Sequence, residues 1–289
     1  MDMSLDAFYR KTYEPLKLRS RSAKSKALYA VTLRHFDKYL ERPALMSDLN
    51  DDAVTGYLAW FRGLPRSPAT VNKERANLLA IWRFACQRGV ITRWPNVDPE
   101  PEPVREPQAW LESEMQALYK SLAGERGMIG QIPAADFWTA LVLVLWDSGE
   151  RVSAIMGLTW ANVDLRNGWI RCPAETRKGG HQDRVYRLSA EAVAALKRIK
   201  KAPGMVFVWP YYGGYLWHKF GQVLARAGLP TDAKSKFHRI RRAVASYYEA
   251  AGGNATELLG HSSRKVTTAY LDSRIVHQPQ AIDRLWRLG

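Results

Sequence analysis

Histidine, arginine and tyrosine residues recur at short spacings towards the C-terminus of the chain. His238 and Arg241 stand three residues apart in a stretch with a helical pattern, so their side chains share one face. Tyr270 lies nine residues beyond His261, and on one continuous helix these two residues would face opposite ways. The two serines that follow His261 favour a break in the helix, which would let the pair converge. Taken singly, such residues are more typical of surface pairs and turns than of catalysis.

A further arginine, Arg151, directly follows an apolar run and a turn at Gly149. On its own, it is typical of an arginine that caps the carbonyl end of a helix.

The composition narrows the choice of partner. The 289 residues include 43 Lys and Arg against 28 Asp and Glu, which gives a formal net charge of +15. A charge of this size favours nucleic acid as the partner, with an acidic membrane surface or an acidic protein second. The hydrophobic fraction of 46% excludes wholesale disorder. No apolar run approaches the length of about 20 residues that a membrane span needs, so no membrane partner is expected.

Cysteine usage and the N-terminus bear on the compartment. Cys86 and Cys172 lie far apart without CxxC spacing, which argues against a disulfide scaffold and a structural zinc site. The N-terminus lacks the apolar core of a signal peptide, so a cytoplasmic location is expected.

Prolines at positions 95, 99, 101, 103 and 107 mark a domain boundary. Such a segment cannot supply the regular hydrogen bonds of a helix or sheet and prefers an extended form. We therefore divide the chain into a first domain of residues 1–98, a linker of residues 99–107 and a second domain of residues 108–289.

The first domain has four amphipathic helical patterns, of which the last begins with Ser67 as N-cap, continues with Pro68 and stops near Gly89. A single lysine is typical of a solvated surface, but two basic clusters within one small helical domain favour contact with a phosphate backbone. The residues expected to bind DNA are Lys17, Arg19, Arg21, Lys24 and Lys26 between the first two helices, and Lys73, Arg75 and Arg83 on the fourth.

The second domain mixes helices and strands. A nearly all-apolar helix is predicted over residues 137–146, and a short helix over residues 153–158. Residues 168–173 and 185–188 have the pattern of strands in a small antiparallel sheet, and a helix follows over residues 189–201. From Tyr215 onwards the pattern indicates helices separated by Gly or Pro. The predicted fold class is therefore mainly α with a small antiparallel β-sheet, in a helical domain and a mixed α/β domain.

Four segments carry a family resemblance. In chain order, the second domain contains WDSGERVSAIMGLTWANVDL, FHRIRRAVASYYEAAG and ELLGHSSRKVTTAY. These resemble the first-arginine segment, the His-x-x-Arg box and the tyrosine-bearing segment of the catalytic domain of the tyrosine recombinases, also called the phage integrase family. In the first domain, SPATVNKERANLLAIWRFACQRGVI resembles the last helix of the SAM-like core-binding domain of that family.

The resemblance implies a site-specific DNA recombinase that exchanges strands through a Holliday junction. The implied catalytic residues are Arg151, Lys178, His238, Arg241, His261 and Tyr270. In this set Arg151 and Arg241 bind the oxygens of the scissile phosphate, and His261 donates a third hydrogen bond to it.

The resemblance also assigns the proton transfers. Tyr270 is the nucleophile that forms a 3′-phosphotyrosyl link, with His238 as its base. Lys178 is the general acid for the leaving 5′ oxygen, and Arg177 and Lys201 are weaker candidates for that role. Because the ester energy is kept in the covalent link, rejoining needs neither ATP nor a metal, and no cofactor is expected.

The sequence departs from the family pattern at three places. Ala154 stands where the family often has a carboxylate that orients the first arginine, and Arg242 replaces a common histidine. The stretch from Lys178 to Arg184 is one residue longer than in many relatives. We expect the loss of the carboxylate to weaken the organisation of the site without abolishing cleavage.

The resemblance further implies a partner assembly. The C-terminal tail has apolar residues with the spacing of a helix face, at Ile282, Leu285, Trp286 and Leu288. This face would pack either on its own domain or on a neighbouring protomer, in a homo-tetramer bound to double-stranded DNA with inverted-repeat sites. A bacterial, archaeal or phage origin and association with the nucleoid would follow.

Three other functions remain open at this stage. A type IB topoisomerase-like enzyme would relax DNA with the same nucleophile, and a catalytically weak regulator would only bind it. A metal-dependent nuclease is disfavoured because no pair of carboxylates is suitably placed in the sequence.

Overall fold

The computed structural model describes residues 2–177, 182–201, 203–233 and 236–276 of the chain. One compact unit ends at Val104 and the second begins at Arg105, a division that falls inside the predicted linker. Helices dominate both units, and the second also contains small antiparallel sheets. The predicted fold class is therefore confirmed.

The regular elements of the first unit are all helical in its described part. Its elements are α1 (Leu5–Phe8), a π-helical segment (Tyr9–Tyr13), α2 (Glu14–Lys17), α3 (Ala23–Leu40), a 3₁₀ turn (Met46–Asp48), α4 (Asp51–Gly63) and α5 (Pro68–Gln87). The side chains of Ser22, Asn50 and Ser67 each accept a hydrogen bond from the amide three residues ahead, and so cap α3, α4 and α5. The predicted N-cap at Ser67 is confirmed.

The proline-rich segment begins as part of the first unit. Arg75, on α5, donates hydrogen bonds to the carbonyl of Val97 through both Nε and Nη2. One turn earlier on the helix, the Asn72 side chain donates to the carbonyl of Glu100 and accepts from its amide, each at 2.8 Å. These contacts hold the segment along α5 as far as Glu100. By contrast, Ala109 and Trp110 are fully buried in the core of the second unit.

The second unit has eight described helices and five short strands. They are α6 (Glu112–Leu122), β1 (Met128–Ile129), β2 (Ile132–Pro133), α7 (Ala134–Ser148), α8 (Val152–Met156), β3 (Val163–Asp164), β4 (Trp169–Cys172), β5 (Arg184–Arg187), α9 (Ala190–Ile199), α10 (Gly213–Arg226), α11 (Phe237–Ala250), α12 (Ala255–Leu259) and α13 (Arg264–Thr268). The predicted hairpin strands are present as β4 and β5, which pair antiparallel with Trp169 opposite Arg187 and Cys172 opposite Arg184. No helix of the described residues is long and apolar enough to cross a membrane.

The buried helix α7 ends at a glycine that the packing requires. Gly149 has φ +60°, a left-handed conformation that favours glycine at the end of a helix. A Cβ at this position would lie 3.0 Å from Cγ1 of Val244 on α11. The close approach brings the end of α7 against α11, and it is at this junction that Glu150 and Arg151 follow.

Candidate active site

Arg241 forms the buried centre of the site. Its side chain, on α11, is 2% exposed. Nη1 donates a hydrogen bond of 2.5 Å to the carbonyl of Gly149, and Nη2 donates one of 2.9 Å to the carbonyl of Leu259. Nε is buried and has no hydrogen-bond partner among the described residues. Two chain turns therefore hold the guanidinium in place.

His261 reaches the same guanidinium from a turn between two short helices. The predicted break is present, because α12 ends at Leu259 and α13 begins at Arg264. Nδ1 of His261 lies 3.1 Å from Oγ1 of the buried Thr267, which fixes the plane of the imidazole. Nε2 lies 3.5 Å from Nη2 of Arg241.

Tyr270 lies between the two histidines. Its ring centre is 4.6 Å from that of His261 and 4.9 Å from that of His238. The guanidinium carbon of Arg241 is 5.8 Å from the centre of the Tyr270 ring. The structure thus brings together four residues that are spread over 33 positions of the sequence, from 238 to 270.

Burial and neighbouring cations favour the neutral form of both histidines. One side of His238 remains open to solvent, but its burial among protein atoms and the charges of Arg242, Arg241 and Arg151 lower its pKa to about 4. Burial and the charges of Arg241 and Arg151 lower the pKa of His261 to about 4 as well. In the DNA-free protein, both imidazoles are therefore neutral at pH 7.

Arg151 belongs to the same cluster. It is half-buried and occupies the N-cap position of α8. Its charge is among the causes that lower the pKa values of His238, His261 and Arg241. The backbone amide of Arg151 donates a hydrogen bond of 3.0 Å to Oε2 of Glu150.

The predicted general acid, Lys178, lies outside the described residues. Of the weaker candidates, Arg177 is buried and donates to the carboxylate of Glu150 at 2.5 Å and to the carbonyl of Gln182 at 3.1 Å. Lys201 is exposed beyond α9, where it lines a cleft with other residues rather than the cluster around Tyr270.

Glu150 is a residue of the site that the sequence analysis missed. Its side chain is completely buried and contacts Arg177, Arg241 and the hydroxyl of Tyr186. The sequence did contain a signal for this role of Glu150, because an acidic residue directly after the glycine that ends an apolar helix needs a cationic partner when it is buried. By contrast, Ala154 is 1% exposed and has no polar group to offer.

The backbone on either side of Tyr270 is fixed by buried polar groups. Oγ of Ser246 donates to the Tyr270 carbonyl at 3.5 Å and accepts from the amide of Asp272 at 3.0 Å. The Asp272 carboxylate accepts from the amide of Ala109 at 2.7 Å and pairs with Arg274 at 2.7 Å. The segment that carries the tyrosine is therefore hydrogen-bonded both to α11 and to Ala109 near the start of the second unit.

Comparison of the chain with models of known protein families identifies its family. The model described as "Phage integrase family" matches residues 112–276, and the model described as "Phage integrase SAM-like domain" matches residues 4–98. The first match alone covers more than half of the chain. The chain belongs to the phage integrase, or tyrosine recombinase, family.

Curated relatives and solved structures agree with this membership. The tyrosine recombinase XerD of Shewanella oneidensis is 25% identical over 262 residues, which cover 84% of this chain and 83% of that protein. XerC of Lacticaseibacillus casei is 22% identical over 90% of this chain and 91% of its own. The Tn1549 transposon integrase in complex with a circular intermediate DNA has 14% identity and a TM-score of 0.73, with 93% of this chain and 95% of that chain covered. A lambda integrase tetramer bound to a Holliday junction has 18% identity and a TM-score of 0.71, covering 94% of this chain and 78% of that one.

This tyrosine recombinase is a site-specific DNA recombinase, an enzyme that cleaves and rejoins DNA. DNA is accordingly its partner. Neither the topoisomerase-like alternative nor the purely DNA-binding regulator gains support from the relatives.

The basic residues of its first unit differ in their surroundings. Six of the eight predicted DNA-binding residues are exposed: Lys17, Arg19, Arg21, Lys24, Lys73 and Arg83. The other two are half-buried and have protein partners. Lys26 pairs with Glu14 at 3.3 Å, and Arg75 donates to Val97, as described above.

Proposed function

We propose that the cluster around Tyr270 cleaves DNA by transesterification. Oη of Tyr270 attacks the phosphorus, a Tyr–O–P bond forms, and the bond from phosphorus to the 5′ oxygen breaks. Arg151, Arg241 and His261 hold the non-bridging oxygens, whose negative charge grows in the transition state. The supporting observation is the convergence of His238, His261 and the Arg241 guanidinium on the Tyr270 ring, within the part of the chain that the structure describes.

The neutral histidines suit two different roles in this step. His238 can accept the phenol proton of Tyr270, because an imidazole with a pKa of about 4 is unprotonated at neutral pH. A Thr267 hydroxyl that donates to Nδ1 of His261 leaves the proton of that imidazole on Nε2. Nε2 and Arg241 then present two donors to one phosphate oxygen.

The leaving group also needs a proton. We assign its donation to Lys178, whose ammonium would protonate the 5′ oxygen as it departs. The products are a 3′-phosphotyrosyl enzyme and a free 5′ hydroxyl. The same steps in reverse, with the 5′ hydroxyl of another strand, rejoin the DNA and complete one strand exchange.

The exposed basic residues of the first unit are proposed to contact the DNA backbone. They are Lys17, Arg19, Arg21, Lys24, Lys73 and Arg83. We assign structural roles to Lys26 and Arg75, because Glu14 and Val97 already engage their charged groups. Backbone contacts of this kind release counterions, so the affinity for DNA should fall steeply as salt increases.

We further propose a homo-tetramer on DNA, held together by the C-terminal tail. An apolar groove on the second unit is lined by Met115, Val142, Leu143, Trp146 and Tyr247 and bordered by Glu112, Asp147 and Glu191. Residues 277–289, which lie outside the described residues, combine an apolar face with two arginines at positions 284 and 287. The apolar and charge complementarity supports a neighbouring protomer's tail as the occupant. Symmetric tetramers of this kind suit DNA sites with inverted repeats.

A nicked substrate tests the cleavage proposal. The probe is the inverted repeat found in the DNA that flanks the gene, nicked close to the cleavage position so that the short 5′-hydroxyl fragment is lost and the adduct accumulates. Wild type should give a covalent protein–DNA band on a denaturing gel, and Tyr270→Phe should give none. Arg241→Ala should cleave at least about 100-fold more slowly, because a buried transition-state donor is lost.

Binding of the same duplex provides the control. Tyr270→Phe and Arg241→Ala should bind it with nearly wild-type affinity, and that affinity should decrease with salt. Substituting Gln at both Lys24 and Lys73 should weaken binding and reduce the salt dependence. Absence of an adduct with wild type, or equal losses of binding and cleavage in Arg241→Ala, would contradict the proposed roles.

A further inference from the structure

The carboxylate of Glu150, in the second unit, is buried and contacts several groups of the candidate active site. The carboxylate is wholly inaccessible to solvent and directly follows the glycine that ends α7. Oε1 accepts hydrogen bonds from Nε of Arg177 at 2.5 Å and from the hydroxyl of Tyr186 at 2.8 Å. Oε2 accepts from the amide of Arg151 at 3.0 Å and lies 3.6 Å from Nη1 of Arg241.

These contacts join the two arginines assigned to the phosphate. Oε2 touches the backbone of Arg151 and the side chain of Arg241 at the same time. Oε1 is meanwhile held from the other side by Arg177, on the segment after β4, and by Tyr186, on β5. The carboxylate is therefore held by Tyr186 on the small sheet and by Arg177 next to it, and it connects the N-cap of α8 to α11.

The charge of Glu150 also compensates a cost of burial. Arg177 and Arg241 are both almost completely buried, and an unpaired buried cation is strongly unfavourable. Burial alone would raise the pKa of the Glu150 carboxyl, but the Arg151 amide and the charges of Arg241 and Arg177 outweigh it and leave the pKa below its usual range. The residue is accordingly ionised at neutral pH.

We infer that Glu150 is a positioning residue for cleavage, whose carboxylate holds Arg241 and the start of the Arg151 turn in the geometry that the scissile phosphate requires. This inference rests on the proposed roles of Arg151 and Arg241. It also accounts for the departure at Ala154, since the negative charge absent from that position is supplied four residues earlier in the chain. Glu150 itself, being buried, does not touch the DNA.

Three substitutions separate positioning from general stability. Glu150→Gln removes the charge, Glu150→Asp keeps a carboxylate, and the double variant Glu150→Gln with Arg177→Gln replaces the ion pair by a neutral pair. Tyr186→Phe removes a hydrogen bond to the same carboxylate but no charge, so it should slow cleavage less than Glu150→Gln does. Arg177→Gln alone is measured in parallel so that any effect of that residue is accounted for.

The measurements are melting temperature, DNA affinity and single-turnover cleavage of the nicked substrate at saturating DNA. We expect Glu150→Gln to cleave about 10- to 100-fold more slowly than wild type, because a displacement of about 1 Å in a catalytic group can cost about 100-fold in rate, with DNA affinity little changed. Glu150→Asp should recover part of the rate. The double variant should melt at a higher temperature than Glu150→Gln, because no buried cation is left at position 177, yet it should remain slow.

Several outcomes would overturn the inference. One is wild-type cleavage by Glu150→Gln. Another is a double variant that recovers both the wild-type cleavage rate and a higher melting temperature, which would show that Glu150 contributes to stability alone. If Glu150→Gln does not fold, the cleavage rate of the double variant still distinguishes positioning from stability. Loss of DNA binding in parallel with cleavage would contradict it too. If wild type forms no adduct, the proposed function fails instead, so the two failures are distinguishable.

Discussion

At the scale of single residues, the site combines permanent cations with imidazoles that remain uncharged. His238 and His261 have pKa values of about 4 because burial and adjacent arginines disfavour a further positive charge. Burial and the charge of Arg151 likewise lower the pKa of Arg241, although Glu150 opposes the effect. Guanidiniums remain protonated in proteins, so in the proposed mechanism the arginines supply charge, His238 accepts a proton and His261 donates a hydrogen bond.

The histidines should make the stability of the DNA-free protein depend on pH. In the unfolded chain they bind protons with an ordinary pKa of about 6.5, whereas in the folded protein that pKa is about 4. Between these values protons bind the unfolded chain more tightly, so stability is lost as the pH falls through this window. The melting temperature of wild type should decrease by more than that of a variant with Gln at both positions between about pH 7 and about pH 5.

The matched control is His218→Gln, which removes an exposed histidine on α10. It should follow the wild-type curve. Parallel curves for wild type and the variant lacking His238 and His261 would show that these two histidines titrate normally in the folded protein.

At the scale of elements, several residues of the site lie at the ends of helices or in the turns between them. Arg151 occupies the N-cap position of α8, His261 lies in the turn between α12 and α13, and Tyr270 follows α13. Carbonyls at the ends of α7 and α12, those of Gly149 and Leu259, accept from Arg241. The geometry of these turns therefore determines the geometry of the phosphate-binding groups.

Gly149→Ala tests this dependence. Alanine in a left-handed conformation costs about 1–2 kcal/mol, and its Cβ would also lie 3.0 Å from Val244. We expect a lower melting temperature and, because the Gly149 carbonyl moves relative to Arg241, slower cleavage of the nicked substrate. Gly228→Ala is the matched control, since Gly228 has φ +70° but a Cβ there would contact nothing within 4 Å.

Gly228→Ala should lose stability without a change in cleavage rate. If Gly149→Ala cleaves as fast as Gly228→Ala, the turn after α7 does not contribute to the position of the guanidinium. Equal melting temperatures for the two variants would show that Val244 yields to the added methyl group at no cost.

At the scale of the whole molecule, we propose two uses for the net charge of +15. Arg151 and Arg241 bind one phosphate in the second unit, where Arg241 is buried and contacts two carbonyls and Glu150. The exposed cations of the first unit contact a DNA backbone without sequence preference. The apolar residues of the tail, at residues 277–289, are proposed to serve assembly.

Trp286→Asp tests the assembly. With a duplex that carries the recombination site, wild type should form a complex of four protomers and two duplexes, measured by mass photometry, whereas the variant should stop at protomers bound to one duplex. A charge cannot enter an apolar groove without a large desolvation cost. Trp94→Asp, which changes a tryptophan that is 54% exposed on the first unit, is the matched control.

The result depends on where the tail packs. Wild-type assembly by Trp286→Asp would contradict the proposed role of the tail. A lower melting temperature of the DNA-free variant, with no change in assembly, would show that the tail packs on its own domain.

The sequence by itself determined the family, the fold class and the residues that meet around Tyr270. It could do so because helical periodicity, an N-cap such as Ser67 and a motif of fixed spacing are local features of the chain. The packing of the folded chain was needed to identify Glu150 as a partner of both Arg241 and the Arg151 amide, and to place Arg75 against the proline-rich segment rather than in solvent. These contacts join residues as far apart as Glu150 and Arg241, and their partners depend on which helix ends and strands pack together, which periodicity does not encode.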